Sequence, residues 1–105
     1  MKIHLSQLNP VVGDLIYNKT LILSEAKKAC INDAKILVTP ELGLTGYPPE
    51  DLLLDSEFID SCKNCLIEIA KKYPKLMIIV GYPKKHKGNL YNAASVLHNG
   101  KIAYT

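Results

Sequence analysis

Glu41 is the side chain whose type and position most directly indicate chemistry. It follows the apolar run at 34–39 after a single proline, and the turn Gly46-Tyr47-Pro48-Pro49 comes shortly after it. Ligands of buried α/β sheets collect beyond the carboxyl ends of strands, and a carboxylate there is suited to act as a general base. The alternative interpretation is an exposed acid after a strand, or a helix cap.

The cysteines are a second group with chemical potential. Cys62 and Cys65 have the C-x-x-C spacing of redox pairs and zinc sites. They lie within a helical pattern, however, because apolar residues recur there at steps of three and four: Phe58, Ile59, Cys62, Cys65, Leu66 and Ile69. A redox pair is expected at a helix N-terminus, and a zinc site needs two further ligands. The pattern therefore predicts that both thiols pack in the core, and the steps of the preceding helix place Cys30 on its apolar face.

The elements that must position these residues alternate between strand and helix patterns. Strands are predicted at 2–8, 34–39 and 75–80, with helices at about 14–33 and 56–72 between them. The run at 34–39 is short and apolar, which is typical of a fully buried strand. Alternation of this kind indicates an α/β fold in which helices cover a sheet.

The C-terminal third has different signals. Gly81-Tyr82-Pro83 is expected to end the third strand, and the basic run 84–87 to form a solvated loop. Asn99-Gly100 is a strong hairpin signal. The second arm of that hairpin reaches only Thr105, so we expect residues 1–105 to be the N-terminal portion of a larger domain.

Composition narrows the function classes. The 105 residues are 48% apolar and 22% charged, with a net charge of +3, which is typical of a globular domain. This charge is too small to indicate nucleic acid or membrane binding. No apolar segment approaches the roughly 20 residues of a membrane span. Three cysteines without a disulfide framework fit a reducing compartment, so a cytoplasmic location is expected.

The segment at 40–53, PELGLTGYPPEDLL, resembles the first catalytic segment of the nitrilase, or carbon–nitrogen hydrolase, superfamily. Its second half, PPEDLL, is similar to the glutaminase domain of the glutamine-dependent NAD⁺ synthetases. Three other stretches resemble that family in order and spacing: QLNPVVGDL at 7–15, GYP at 81–83 and NLYNAASVLHNGKI at 89–102.

The resemblance implies an α-β-β-α sandwich, of which this chain would be an incomplete part. It also implies hydrolysis of a carbon–nitrogen bond by a Glu-Lys-Cys triad. The cysteine attacks the amide of glutamine and ammonia leaves, while the lysine stabilises the oxyanion. Glu41 matches the catalytic glutamate, and Tyr47 matches a tyrosine that contributes to substrate binding.

The family's lysine and cysteine follow the hairpin, so they are expected beyond residue 105. Neither Lys101 nor any of the three cysteines matches them. We therefore expect the isolated chain to be inactive. No metal or cofactor is expected in it, because ATP and Mg²⁺ would serve a separate synthetase domain that amidates nicotinic acid adenine dinucleotide.

The partners implied are glutamine and the remainder of the same enzyme or a complementary chain, with a homo-oligomer expected when the enzyme is complete. Two alternatives stay open at this point. The chain could belong to a stand-alone amidase or nitrilase, which the Pro-Pro-Glu-Asp segment disfavours. It could also be a non-catalytic remnant or a subunit that binds a partner.

Overall fold

Five strands, two α-helices and a short 3₁₀ helix form the fold in the computed structural model, which describes all 105 residues. In chain order they are β1 (Ile3–Leu5), α1 (Leu15–Ile31), β2 (Ile36–Val38), the 3₁₀ helix (Glu50–Leu54), α2 (Ser56–Lys72), β3 (Met77–His86), β4 (Asn89–His98) and β5 (Lys101–Tyr104). The predicted α/β class is confirmed.

The strands form one sheet whose spatial order is the chain order, β1-β2-β3-β4-β5. The first three strands are parallel, and β3, β4 and β5 are antiparallel neighbours. Parallel neighbours need a crossover connection, and α1 and α2 lie in those two connections. The carboxyl ends of β1 and β2 consequently open toward the same edge of the sheet.

Each α-helix begins at an aspartate that caps it. The carboxylate of Asp14 accepts a hydrogen bond from the Tyr17 amide at 3.0 Å, and that of Asp55 accepts from the Glu57 and Phe58 amides. Such caps satisfy amides that have no partner within the helix. The predicted bounds of α2 are confirmed. No helix of the fold is both long and apolar enough to cross a membrane.

The hydrophobic core lies between the two helices and one face of the sheet. Its largest fully buried side chains include Ile22 of α1, Leu66 of α2 and Ile78 of β3. The opposite face carries apolar side chains without a helical cover, and Ile3 and Leu5 are 55% and 74% exposed. The chain thus contains one helical layer and one sheet, which is half of the layers of an α-β-β-α sandwich.

This single covered face corrects the expectation of a fully buried second strand. Leu37 is completely buried, but Ile36 and Val38 are only half-buried. Successive side chains of a strand point to opposite faces, and only one face of β2 has helices over it. Cys62 and Cys65 are buried as predicted, whereas Cys30 is exposed in the last turn of α1, so its predicted core position is wrong.

The predicted end of the third strand is also wrong. β3 continues through Gly81, Tyr82 and Pro83 to His86, paired with β4 throughout. Proline is tolerated in a strand whose other side has no strand neighbour, and β2 pairs with β3 only as far as Ile79. The basic run is the tip of a hairpin rather than a loop, because Lys87 and Gly88 have φ of 50° and 80°, as a two-residue hairpin turn requires.

Candidate active site

Glu41 lies in the loop of residues 39–49 that leaves the carboxyl end of β2, where the sequence predicts it. The loop is attached to β3 at its first residue. The amide and the hydroxyl of Thr39 both donate to the carbonyl of Ile79, at 3.0 and 2.9 Å. The loop therefore begins as a continuation of the β2–β3 pairing.

Internal hydrogen bonds hold the loop in a compact turn. The Pro40 carbonyl accepts from the Gly43 amide at 3.0 Å, and the Leu42 carbonyl accepts from the Thr45 and Gly46 amides at 3.2 and 2.9 Å. Leu42 has a φ of 49°, a conformation that costs a residue with a side chain about 1–3 kcal/mol and persists only where the surroundings fix it. Strain of this kind clusters at functional sites, and here it lies directly beside Glu41.

Gly81 of β3 allows the loop to approach the sheet. A Cβ atom at this position would lie 2.7 Å from the Leu42 nitrogen, 3.0 Å from the Pro40 oxygen and 3.3 Å from the Glu41 carbonyl carbon. The Gly81 carbonyl also accepts from the Leu44 amide at 3.2 Å. The backbone around Glu41 thus rests on a position that only glycine fills without displacement.

Asn18 joins the same loop to the N-terminal turn. It is completely buried, and its side-chain amide donates to the Val11 and Leu44 carbonyls at 2.8 and 2.9 Å while its oxygen accepts from the Val11 amide at 2.8 Å. The Gly13 amide adds a bond to the Thr45 carbonyl at 2.9 Å. Two loops far apart in sequence are therefore fixed to each other from within the core.

The carboxylate of Glu41 is held from β4. The side-chain amide of Asn92 donates to Glu41 Oε1 at 2.5 Å. Both residues line an open pocket of about 390 Å³, together with Thr39 and with apolar groups of β2, β3 and β4. The lining combines apolar side chains with a few polar groups, and such a combination is found in small-molecule sites. A carboxylate in such a pocket is available to accept a proton from a reactant.

Comparison with known proteins gives the family. The sequence model of the carbon-nitrogen hydrolase family matches residues 2–104. The chain belongs to the carbon-nitrogen hydrolase family. It is 37% identical to the glutamine-dependent NAD(+) synthetase of Synechocystis sp. over 95% of this chain, and 37% identical to that of Xanthomonas campestris over all of it. It spans about a fifth of each of these relatives, 19% of their length.

Two solved structures agree with the fold. A glutamine-dependent NAD(+) synthetase from Cytophaga hutchinsonii superposes with a TM-score of 0.90 at 29% identity, over 95% of this chain and 17% of that one. An amidase from Nesterenkonia sp. superposes with a TM-score of 0.82 at 25% identity, over 95% of this chain and 39% of that one. The nitrilase-type fold predicted from the sequence is confirmed.

Tyr47, the second predicted site residue of this hydrolase chain, does not join Glu41 in the pocket. Its side chain is 71% exposed, and it is not among the residues that line the pocket around the carboxylate. Its role in substrate binding stays a prediction.

The cysteines of the chain lie away from Glu41. Cys30 lines a different cleft with Lys35 and Leu76, at the amino ends of β2 and β3, whereas Glu41 lies at the carboxyl end of β2. Burial raises the pKa of Cys62 to about 12 and also raises the pKa of Cys65. Because the thiolate is the nucleophile and metal ligand, these two thiols are suited to packing.

Lys101 lies away from Glu41, and the chain has no cluster of side chains that could hold a metal ion. Lys101 begins β5 next to Asn99, whose amide donates to the Pro74 carbonyl at 2.8 Å, so it lies near the amino end of β3 and the opposite edge of the sheet. No three His, Cys, Asp or Glu side chains come close enough to hold a metal ion. Glu41 is the one predicted catalytic group that the chain places in the pocket.

Three residues of the site were missed as site residues in the sequence: Gly81, Asn92 and Asn18. Asn18 had a signal, because it precedes Ile22, Ala26 and Ala29 on the buried face of α1 and a polar residue there needs partners. Gly81 and Asn92 had no such signal, since their function depends on which loop lies against β3 and β4.

Proposed function

We propose that this chain is the N-terminal part of the glutaminase domain of a glutamine-dependent NAD⁺ synthetase, with Glu41 as its general base. The observation that supports this most is the Glu41 carboxylate, held by Asn92 in a pocket at the carboxyl edge of the sheet. The 37% identity to synthetases across the chain supports the choice of enzyme within the hydrolase family.

In this proposal Glu41 removes the proton of a cysteine thiol while sulfur bonds to the amide carbon of glutamine. The electrons of the carbonyl move to oxygen, where a lysine stabilises the negative charge. Collapse of this intermediate breaks the carbon–nitrogen bond, and the leaving nitrogen takes the proton back from Glu41 and departs as ammonia. Glu41 then removes a proton from water, whose oxygen attacks the thioester carbon. The carbon–sulfur bond breaks, glutamate is released, and the cysteine sulfur takes the proton back from Glu41.

The cysteine and the lysine are contributed by the rest of the enzyme. Cys62 and Cys65 are buried with raised pKa values, and Cys30 and Lys101 lie near the amino-terminal edge of the sheet. The exposed face of the sheet, with Ile3 and Leu5, is suited to pack against further layers of the same domain.

Ammonia would be consumed in a separate synthetase domain, which uses ATP and Mg²⁺ to amidate nicotinic acid adenine dinucleotide. This chain needs no cofactor of its own for the glutaminase step. Glutamine and the remainder of the enzyme are the partners proposed, in the cytoplasm, where three unpaired cysteines remain reduced. The homo-oligomer stays a prediction.

A stand-alone amidase is the second candidate, and the Nesterenkonia structure favours it. The same Glu41 chemistry would serve, but ammonia would be released rather than incorporated. Among the solved structures, the synthetase from Cytophaga hutchinsonii has 29% identity and a TM-score of 0.90, against 25% and 0.82 for that amidase, which makes the synthetase the better supported candidate.

The test compares two proteins: the 105-residue chain and the complete reading frame that contains it. We expect the complete protein to release ammonia from glutamine and to form NAD⁺ when ATP and nicotinic acid adenine dinucleotide are added. The chain alone should release none. Amide hydrolysis without NAD⁺ formation would support the amidase instead, and enzyme-like turnover by the 105 residues alone would contradict the proposed triad.

A further inference from the structure

We propose that Asn92 is a positioning residue for the proposed glutaminase reaction, which orients Glu41 by occupying one carboxylate oxygen and leaving the other free for the proton. This inference rests on the proposed function. It follows from the hydrogen bond that Asn92 Nδ2 donates to Glu41 Oε1 at 2.5 Å, between residues 51 positions apart in sequence.

The two oxygens of the Glu41 carboxylate have different surroundings. Oε1 accepts the amide hydrogen of Asn92, and Oε2 has no hydrogen-bond partner in the structure. A carboxylate has two acceptor oxygens, so a directional bond to one of them restricts the orientations that the other can take. Both residues line the same pocket, which is where the thiol and the water must deliver their protons.

Asparagine is chemically suited to this task. Its amide donates but carries no charge, so it orients the carboxylate without the competing attraction of a cation. A lysine or arginine at the same place would form a charge-assisted bond of roughly twice the strength, which would oppose transfer of the proton to Glu41.

The strand that carries Asn92 is itself firmly held. Asn92 pairs with Pro83 across the β3–β4 hairpin. Three residues later the completely buried hydroxyl of Ser95 bonds to the hydroxyl of Tyr82 at 2.8 Å and to that of Thr105 at 2.9 Å. Groups on rigid, internally bonded strands hold a site more accurately than groups on loops.

The same hairpin also fixes the loop on which Glu41 sits. Gly81, opposite Ala94 in the hairpin, accepts a hydrogen bond from the Leu44 amide of the loop at 3.2 Å, and Asn92 binds the carboxylate of Glu41. Backbone and side chain of the base are therefore aligned by one structural element. The bond to Asn92 therefore limits how far a small movement of the loop can turn the carboxylate.

The test uses Asn92→Leu in the complete enzyme, because leucine has a similar size but no donor. We expect the kcat of glutamine-dependent NAD⁺ synthesis to fall about 10–100-fold, since a misplacement of roughly 1 Å costs on the order of 10²-fold. The KM for glutamine should change less than about threefold, because the substrate-binding contacts remain. Synthesis from added ammonia and the melting temperature should stay unchanged.

Asn89→Leu is the matched control. It replaces the same residue type on the same strand, and Asn89 makes no hydrogen bond to Glu41. It should leave both activities as they are. Equal losses in the two variants, or a change in KM alone, would overturn the proposed role of Asn92.

A double variant separates positioning from a structural effect. If Asn92 acts through Glu41, Asn92→Leu should cause no further loss in a protein that already carries Glu41→Gln, because groups that act as a unit are not additive. An equal further loss would overturn the proposal. Glutamine hydrolysis that survives Asn92→Leu alone would overturn only the role of Asn92, whereas no hydrolysis by the unsubstituted enzyme would overturn the proposed function and this role with it.

Discussion

Gly81→Ala is expected to disable the candidate site while the sheet remains folded. Gly81 is not among the residues with positive φ, so its backbone tolerates alanine and the effect comes from the new Cβ alone. That atom would lie 2.7 Å from the Leu42 nitrogen, whereas ordinary contacts begin at 3.4 Å. The loop beside Glu41 must therefore move by about 0.7 Å, the difference between the two distances.

The size of this movement sets the expected loss. A misplacement of roughly 1 Å costs on the order of 10²-fold in rate, so we expect glutamine-dependent turnover to fall about 10–100-fold. Overpacking of this kind typically lowers the free energy of unfolding by about 1–3 kcal/mol. The assay is NAD⁺ formation by the complete enzyme with glutamine or with added ammonia, which bypasses the glutaminase site.

Gly88→Ala provides the control for stability. Gly88 has a φ of 80° and no atom within 4 Å of its Cβ position, so alanine there introduces backbone strain of about 1–2 kcal/mol without contacting the loop of Glu41. This variant should melt earlier and keep both activities. The reasoning is refuted if Gly81→Ala turns over glutamine normally, or if it loses both activities in parallel.

Two further perturbations test the surroundings of the site. Asn18→Leu removes three hydrogen bonds of a completely buried side chain and leaves the Val11 and Leu44 backbone groups without partners. Because an unsatisfied buried group costs about 1–3 kcal/mol, we expect the free energy of unfolding of the complete enzyme in urea to fall by about 2–4 kcal/mol. A fall below about 1 kcal/mol would contradict the buried network. The second perturbation is a change of pH at Cys62. Burial raises the pKa of its thiol from 9.0 to about 12. The unfolded chain then releases the thiol proton at lower pH than the folded one, so the contribution of Cys62 to stability is present below pH 9 and is lost as pH rises toward 12. We expect Cys62→Ala to weaken this alkaline loss, and thiol reagents at pH 8 to label the exposed Cys30 well before Cys62; equal labelling rates would show that the thiol of Cys62 is accessible.

The helices and the second hairpin could be predicted because their signals are local. Phe58, Ile59, Cys62 and the later apolar residues of α2 repeat at helical spacing, and Asn99-Gly100 has the left-handed φ values of 54° and 77° that its residue types favour. Each of these signals lies within the element that it specifies, so no knowledge of tertiary neighbours is needed.

The course of β3 could not be predicted in the same way. Proline is normally absent from the middle of a sheet. Pro83 is tolerated in β3 because β2 pairs with β3 only as far as Ile79. The exposure of Ile3 and Leu5 also depends on which face of the sheet the helices cover. Both outcomes follow from tertiary arrangement, which the local pattern does not contain.

The sequence likewise predicts one part of the candidate site and not the other. Glu41 was identified by its position after a strand and by resemblance of the surrounding segment, and the structure places it in the pocket. Its contacts with Gly81 and Asn92 were not predictable, because the partners are remote in sequence, 51 positions in the case of Asn92. Tyr47 matches by motif but is exposed, so its assignment still depends on the resemblance alone.

The most direct test of the function of Glu41 is the ratio of glutamine-dependent to ammonia-dependent NAD⁺ synthesis in the complete enzyme carrying Glu41→Gln. Glutamine keeps the shape of the side chain but cannot accept the thiol proton. We predict that glutamine-dependent synthesis falls by about 10²–10⁴-fold, while ammonia-dependent synthesis and the melting temperature stay the same. Asp51→Asn, at an exposed position of the 3₁₀ helix, should change neither activity. Normal glutamine-dependent turnover by Glu41→Gln, or a fall of both activities together with the melting temperature, would contradict a catalytic role and show that Glu41 is a structural acid.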